Sequence, residues 1–201
     1  MDRVGMMSTL IAEAVGLSFR DSERVGHSAR LHDLGKLFIS ATMLEKPSPL
    51  TDDEARTMRM HTSLGHDVLK RSEDPKLALA AEVALQHHEN WDGSGYPLGL
   101  SGEEIGLAAR IVSVCDVYDS LREARPYKPA ISHVRAMSIL TEGDERTRPS
   151  MFDPEILEAF VKNQELCREI FDDLGAETAA QPPLSIPIWT NDAQTPQRRM
   201  Y

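Results

Sequence analysis

Apolar residues return every three or four positions along most of the chain, which is the repeat expected for one buried face of an α-helix. No stretch alternates between apolar and polar residues as a half-buried β-strand does. The pattern predicts helices over residues 3–16, 22–33, 75–88, 131–142 and 154–172, and further helices that begin at residues 51 and 101. The predicted fold class is therefore all-α, a helical bundle.

Two short motifs place helix starts. Thr51 is followed by Glu54, and Ser101 by Glu104. Each pair is typical of a capping box, in which the two side chains bond reciprocally to free backbone N–H groups at the helix start. The segment 40–50 contains two prolines and is predicted to be a loop.

The composition changes near the C-terminus. With 201 residues, 41% of them hydrophobic, the chain can bury one sizeable core. The end of the chain is rich in Ala, Thr, Gln and Pro, and "QPPLSIPIW" contains too much proline for a helix. We therefore predict one domain over residues 1–175 and a flexible tail over residues 176–201.

Charge and cysteine content exclude several classes of protein. The net charge is −10, from 22 basic and 32 acidic residues, so DNA and RNA are not expected partners. No apolar run approaches the roughly 18 residues that a membrane span needs, and no signal peptide is evident, so the predicted location is cytoplasmic. Cys115 and Cys167 form no CxxC pair, so any metal ion must be held by histidine and carboxylate.

Histidine and aspartate residues fall on apolar faces or at the ends of several predicted helices. Taken singly, an inward histidine is more often a hydrogen-bonded core residue than a metal ligand. As a set, these residues describe one cavity that must neutralise several polar groups at once, which favours a metal site. Ligands of this kind suit iron, manganese or zinc, and two such ions would clamp a phosphodiester. The candidate ligands are His32, Asp33, His61, His87, His88 and Asp116.

The spacing of the histidines constrains their roles. His87 and His88 diverge by about 100° on a helix, so the helix end must be distorted or point at the site if both bind metal. His27 lies about 140° from His32 around the second helix, which argues against it as a ligand. Two further histidines are predicted to be surface residues, His66 and His133.

Three basic residues and one loop offer contacts for phosphate. Lys36 directly follows the first two candidate ligands, and a proline stiffens the segment between Arg125 and Lys128. The alternative for each is a solvated surface charge. The loop "DGSGYP" has glycines and an aromatic ring, features that can lie against a base or a phosphate.

The motifs "HDLGK", "HHENWDGSGYP", "ARIVSVCDVYDSL" and "RPYK", together with His61, resemble those of the HD-GYP family. These proteins are bacterial output domains of the HD phosphohydrolase superfamily that hydrolyse the signalling dinucleotide cyclic di-GMP. The resemblance covers about residues 3–172. It implies an HD-type helical bundle with a metal site between helices, and hydrolysis to pGpG, to GMP or to both.

Carried over residue by residue, the resemblance implies a di- or tri-nuclear centre of iron or manganese with Asp33 as the bridging ligand. The metal ligands that it implies are His32, Asp33, His61, His87, His88 and Asp116. Asp33 and Lys36 take the catalytic roles. The substrate contacts that it implies are Lys36, Gly95, Tyr96, Pro97, Arg125 and Lys128.

One position departs from the family pattern. Family members carry a further metal histidine in the first helix, ahead of an Arg-Val pair that matches Arg3 and Val4. In this chain that histidine would fall immediately before Met1. The domain is therefore expected to lack the start of its first helix.

Three functions follow from these features. The leading hypothesis is a metal-dependent cyclic di-GMP phosphodiesterase, and the alternative is a catalytically impaired dinucleotide receptor or protein-interaction module. A third interpretation is an HD phosphohydrolase that acts on another nucleotide. The expected partners are cyclic di-GMP, an upstream sensory or receiver domain and other signalling proteins, and a homodimer is one expected assembly.

Overall fold

The computed structural model describes residues 1–124 and 130–180, with side chains as far as residue 174. Within these residues the chain forms α-helices and short 3₁₀ helices, without a β-strand. The α-helices are α1 (Asp2–Ala14), α2 (Phe19–Ala29), α3 (Ala41–Leu44), α4 (Asp52–Arg59), α5 (His61–Lys70), α6 (Pro75–Gln86), α7 (Leu107–Arg122), α8 (His133–Glu142), α9 (Pro154–Lys162) and α10 (Gln164–Ala180). The 3₁₀ helices span Leu34–Phe38, Gly102–Glu104 and Pro149–Met151. The predicted all-α fold is confirmed.

Helix α7 runs through the main hydrophobic core. Ile111, Val112, Val114 and Cys115 are fully buried, although consecutive residues point to different sides of a helix. Helices α1, α6, α8 and α9 pack around α7 and cover these sides. An almost continuously apolar helix such as α7 is stable only in such surroundings. It provides a rigid support for Asp116 one position further along the chain.

A smaller apolar cluster joins α5 and α6, and it contains Ala80, Ala81 and Ala84. The 3₁₀ helix that follows α2 also packs on α5. At this contact a Cβ atom on Gly35 would lie 1.8 Å from the carbonyl oxygen of His61, so no larger residue fits. This close approach brings the turn after α2 against the first residue of α5.

The second helix differs from its predicted bounds of 22–33. It begins at Phe19, because the hydroxyl of Ser18 accepts a hydrogen bond from the N–H of Asp21 at 3.2 Å and caps the helix. It ends at Ala29. His32 and Asp33 therefore lie in the turn between α2 and the next 3₁₀ helix.

The two predicted capping boxes start different kinds of helix. The box at Thr51 starts α4 as predicted. The box at Ser101 is also present, but it starts the 3₁₀ helix and not α7. Helix α7 begins only after Gly106, whose N–H donates to the side-chain carbonyl of Gln86 at 2.8 Å. This bond fixes the start of α7 against the end of α6.

Three further predictions of local structure need correction. The helix from residue 51 is divided at Met60 into α4 and α5. The helix predicted over 154–172 is divided at Asn163, whose side-chain amide donates to the carbonyl of Ala159 at 2.8 Å. The segment 40–50 is not entirely loop, because it contains the single turn α3.

The C-terminal end of the described chain is helical. Residues 176–180, which the composition assigned to the tail, continue α10, and residues 181–201 lie outside the described part of the chain. The domain boundary at residue 175 stays a prediction. Among the described residues, no helix has both the length and the apolar character needed to cross a bilayer.

We expect Gly35→Ala to lower the free energy of unfolding by about 3 kcal/mol, because the added Cβ would overlap the backbone of α5. Chemical denaturation measures this loss. Gly65→Ala is the matched control at the same contact, where the nearest atom to an added Cβ is 3.1 Å away. A helix-propensity gain of about 1 kcal/mol offsets that crowding. Equal stability of the two variants would contradict this account of the contact.

Candidate metal centre

The structure brings four of the predicted ligands into one group. Asp33, His61, His87 and His88 each offer one ligand atom, and these atoms all lie within 4.8 Å of one another. They come from the turn after α2, the first residue of α5 and the turn after α6. The group therefore lies where three segments meet at their ends.

Asp33 is the centre of this group. Its Oδ1 atom lies 3.4 Å from Nε2 of His61 and 3.8 Å from Nε2 of His87. Its Oδ2 atom lies 3.2 Å from Nε2 of His32 and 2.5 Å from Nζ of Lys36. The two oxygens of one carboxylate thus face different histidines.

The other two predicted ligands adjoin the group. Asp116 comes from α7, and its Oδ1 atom lies 3.5 Å from Nε2 of His32. His32 also contacts the ring of His87, with 4.9 Å between the ring centroids. All six predicted ligands therefore lie together, and their role in metal binding stays a prediction.

Backbone carbonyls fix the orientation of three rings. Nδ1 of His32 lies 2.6 Å from the carbonyl of Ala29, and Nδ1 of His61 lies 2.7 Å from that of Met58. Nδ1 of His87 contacts the carbonyls of the preceding turn. A carbonyl only accepts, so each Nδ1 carries the proton, and the Nε2 atoms face the carboxylates. This is the tautomer that histidine ligands adopt when a carbonyl orients the ring.

The turn after α6 explains how His87 and His88, which are adjacent in the sequence, can both face the site. The α-helix ends at Gln86, and His87 and His88 lie in the turn beyond it. His88 stacks on Tyr96, with 4.9 Å between ring centroids, and its ring also contacts that of His61. The helix ends two residues earlier than predicted, and this lets both rings face the same group.

Burial and charge set the protonation of the cluster. Burial lowers the pKa of His32, but the carboxylates of Asp116 and Asp33 outweigh it and raise that pKa to about 10. Burial also lowers the pKa of His61, lowers that of His88 to about 4, and lowers that of His87 well below its ordinary value. Without a metal ion, His32 is thus positively charged near pH 7 and the other three histidines are neutral. A metal ion at Nε2 of His32 would replace the proton on that atom.

The pKa values of the two carboxyl groups in the cluster, Asp33 and Asp116, are shifted downward. Burial acts to raise the pKa of Asp33 and of Asp116, but contact with His32 holds both pKa values below their usual range. Both groups are therefore ionised. The site draws positive charge to the space between them.

The residues present fit a metal ion. Nε2 of His32 and Oδ1 of Asp33 are buried without a hydrogen-bond partner. The neutral Nε2 atoms of His61 and His87 face the ionised carboxylate of Asp33. Lone pairs directed at negative charge are unfavourable unless a cation lies between them. Nitrogen and carboxylate ligands without thiolate suit iron, manganese or zinc.

The predicted substrate loop lies against the cluster. The N–H of Tyr96 donates to the carbonyl of His88 at 3.1 Å. A Cβ atom on Gly95 would lie 2.3 Å from the backbone nitrogen of Asn90, so the tight loop requires glycine at this position. Burial raises the pKa of Tyr96 above its usual range, so the phenol is neutral. Pro97 follows at the edge of the loop and is exposed.

Glu89 organises this loop, and sequence reasoning missed it. Its carboxylate is buried and accepts hydrogen bonds from the N–H groups of Leu98 at 2.6 Å and Leu100 at 3.1 Å. The sequence does contain a signal for this role, because Glu89 directly follows two histidines at the end of an apolar helix. Buried carboxylates need such donors, and here the loop backbone supplies them.

Of the three basic residues predicted to contact phosphate, the structure describes one. Lys36 is partly exposed at the edge of the cluster, in contact with Asp33. Arg125 and Lys128 lie outside the described residues, so their predicted phosphate contacts stay predictions.

The remaining histidines are separate from the cluster. His27 is exposed on α2. The prediction that His66 and His133 are surface residues was wrong, because both are half-buried and hydrogen-bonded. Nδ1 of His66 contacts the carbonyl of Ala81 at 3.0 Å, and Nδ1 of His133 contacts the hydroxyl of Tyr118 at 2.8 Å. The helix faces that carry them meet α6 and α7, which the sequence pattern did not show.

Comparison with known proteins identifies the family. The HD domain family model matches residues 2–156. The chain therefore belongs to the HD domain family. A solved structure described as an HDG"Y"P protein from Bdellovibrio bacteriovorus, Bd1817, has the same fold, with a TM-score of 0.62 at 17% identity. That match covers 87% of this chain and 51% of Bd1817.

Two curated relatives are named for one activity. The chain is 38% identical over 179 residues to the cyclic di-GMP phosphodiesterase response regulator RpfG of Xanthomonas campestris, covering 89% of this chain and 46% of that protein. It is 39% identical over 170 residues to a cyclic di-GMP phosphodiesterase of Thermotoga maritima, covering 85% of this chain and 45% of that protein. The resemblance to HD-GYP proteins is confirmed, and the chain spans about half the length of these relatives.

We expect Glu89→Gln to loosen the loop, because the variant removes the charge that strengthens two hydrogen bonds. Hydrogen bonds to charged groups contribute about 1.5–3 kcal/mol. Hydrogen exchange at the amides of Leu98 and Leu100 should therefore become at least about tenfold faster. Glu103→Gln, at an exposed glutamate nearby, is the control and should leave both rates unchanged. Wild-type exchange rates in Glu89→Gln would refute this role.

Proposed function

We propose that the chain is a metal-dependent phosphodiesterase that hydrolyses cyclic di-GMP to pGpG, to GMP or to both. The observation that carries this proposal is the largely buried carboxylate of Asp33, surrounded by histidines whose Nε2 atoms face it. This arrangement supports metal binding, and the names of the relatives support the substrate. The chain spans about half of those relatives, so the activity is inferred for it and does not follow from the family alone.

The proposed centre holds two or three ions of iron or manganese. Asp33 faces His61 and His87 with one oxygen and His32 with the other, which supports two ion positions that share this carboxylate. Asp116 and His88 complete the proposed ligand set. Bound ions would supply positive charge to the phosphate and activate water for hydrolysis.

The chain's own residues would bind and orient the substrate around this centre. Lys36 holds its ammonium group beside Asp33 and would contact a phosphate oxygen of a substrate bound there. The loop of Gly95, Tyr96 and Pro97 would lie along the dinucleotide. We also propose that Arg125 and Lys128 contact the phosphates of the substrate.

The cellular role that we propose is cytoplasmic signalling. One relative is named a response regulator, and it is about twice as long as its match to this chain. This supports a sensory or receiver domain as a partner in the whole protein, together with other signalling proteins. A homodimer is the assembly that we propose.

The test is anaerobic incubation of the protein, loaded with Fe²⁺ or Mn²⁺, with cyclic di-GMP, followed by chromatography of the products. We expect pGpG or GMP to form. His61→Ala should lower the rate by at least about 100-fold, because loss of a metal ligand costs more than loss of a supporting residue, which costs about 10- to 100-fold. The metal content of each sample is measured in parallel.

His27→Ala is the matched control, since it removes an exposed histidine outside the cluster. It should retain wild-type rate and metal content. Binding of the dinucleotide without product at full metal loading would contradict the proposal and favour a receptor. Full activity of His61→Ala would contradict the proposed ligand set.

A further inference from the structure

A cavity of about 300 Å³ lies beside the loop of Tyr96. It forms where α4 ends and α5 begins, and where the loop after α6 lies against both helices. The cavity is lined by Arg56, Arg59, Met60, Ser63, Tyr96 and Pro97. Its lining combines an aromatic ring, two apolar side chains and two guanidinium groups.

Arg59 connects this cavity to the candidate metal centre. Its Cζ atom lies 4.9 Å from the centroid of the Tyr96 ring. The same ring stacks on His88, again with 4.9 Å between centroids. The Tyr96 ring therefore contacts both Arg59 and His88, and His88 is one of the candidate metal ligands.

The guanidinium of Arg59 is available to a ligand. Among the described side chains, it makes no ion pair, whereas Arg56 on the same helix is paired with Asp53. A guanidinium is a planar fork of N–H donors that can also stack on an aromatic ring. The Arg59 side chain is exposed and lies over the Tyr96 ring, and none of the described side chains accepts a hydrogen bond from its guanidinium.

The chemistry of the lining selects for one kind of ligand. A free phosphate gains no favourable packing contact with the apolar surfaces of Met60 and Pro97, whereas a planar base can pack against them. Arginine donates two hydrogen bonds to the O6 and N7 atoms of guanine. Adenine presents an acceptor and a donor on that edge, so it cannot accept both bonds.

We propose that this cavity binds one guanine base of the cyclic dinucleotide and that Arg59 determines the specificity for guanine. The inference rests on the proposed function, because it assigns a base-binding subsite to the same substrate. Nothing in this assignment requires both bases to be guanine. A mixed guanine–adenine cyclic dinucleotide would therefore also bind, with its guanine in the cavity.

The test compares Arg59→Ala and Arg59→Lys with the wild type, each loaded with metal. The three substrates are cyclic di-GMP, cyclic di-AMP and the small diester bis(p-nitrophenyl) phosphate. We expect Arg59→Ala to lower kcat/KM for cyclic di-GMP by about 10- to 100-fold, mainly through KM, since a bidentate contact discriminates between bases by about this factor. Rates with the other two substrates should change less than twofold.

Arg59→Lys keeps the charge but lacks the fork, so it should not restore the preference for guanine. The control Arg24→Ala, at an exposed arginine of α2 paired with Asp21, should behave as wild type. A wild-type ratio between cyclic di-GMP and cyclic di-AMP in either Arg59 variant would overturn the inference. An equal loss on the small diester would also overturn it, because that result indicates a general electrostatic or structural effect.

Failure of the proposed phosphodiesterase function would give a different result from failure of the Arg59 inference. A wild-type protein that turns over no substrate contradicts the phosphodiesterase, and calorimetric binding of the two dinucleotides then tests Arg59 independently. Tighter binding of cyclic di-GMP that is lost in Arg59→Ala supports the inference even without turnover. Binding of neither dinucleotide overturns both proposals.

Discussion

Asp33 carries a largely buried negative charge at the point where three segments of the chain meet, and the rest of the site is arranged around that charge. The carboxylate can be this close to the first residue of α5 only because Gly35, two positions later, has no side chain. Burying a carboxylate is costly unless positive charge compensates it. Here protonated His32 and Lys36 provide that charge, and a metal ion bound by His32 would replace the proton on its Nε2 atom.

The position of the cluster in the fold explains its precision. Its histidines lie at helix ends and in the turns beyond them, where backbone carbonyls of the preceding helical turn accept from Nδ1 as well as from backbone N–H groups. The apolar faces of α1 and α7 are buried in the main core and make the scaffold rigid. Polar ligands thus project from a support whose own stability comes from apolar burial.

Much of this arrangement follows from the sequence, and the exceptions have physical causes. The apolar repeat predicts the helices, and the inward faces and ends of those helices predict His61, His87 and Asp116. Local patterns do not show where a helix yields to a turn, because His32 stays on the apolar stripe although α2 has ended. The roles of Glu89 and Arg59 depend on contacts across the fold, which no local pattern contains.

Anomalous X-ray diffraction from crystals of the manganese-loaded protein, recorded above and below the manganese absorption edge, tests the central claim most directly. The account predicts anomalous density in contact with an oxygen of Asp33 and the Nε2 atoms of the surrounding histidines. Peaks in contact with each oxygen of Asp33 would show the shared carboxylate. Density elsewhere in the protein, with Asp33 bound only to His32 and Lys36, would contradict it.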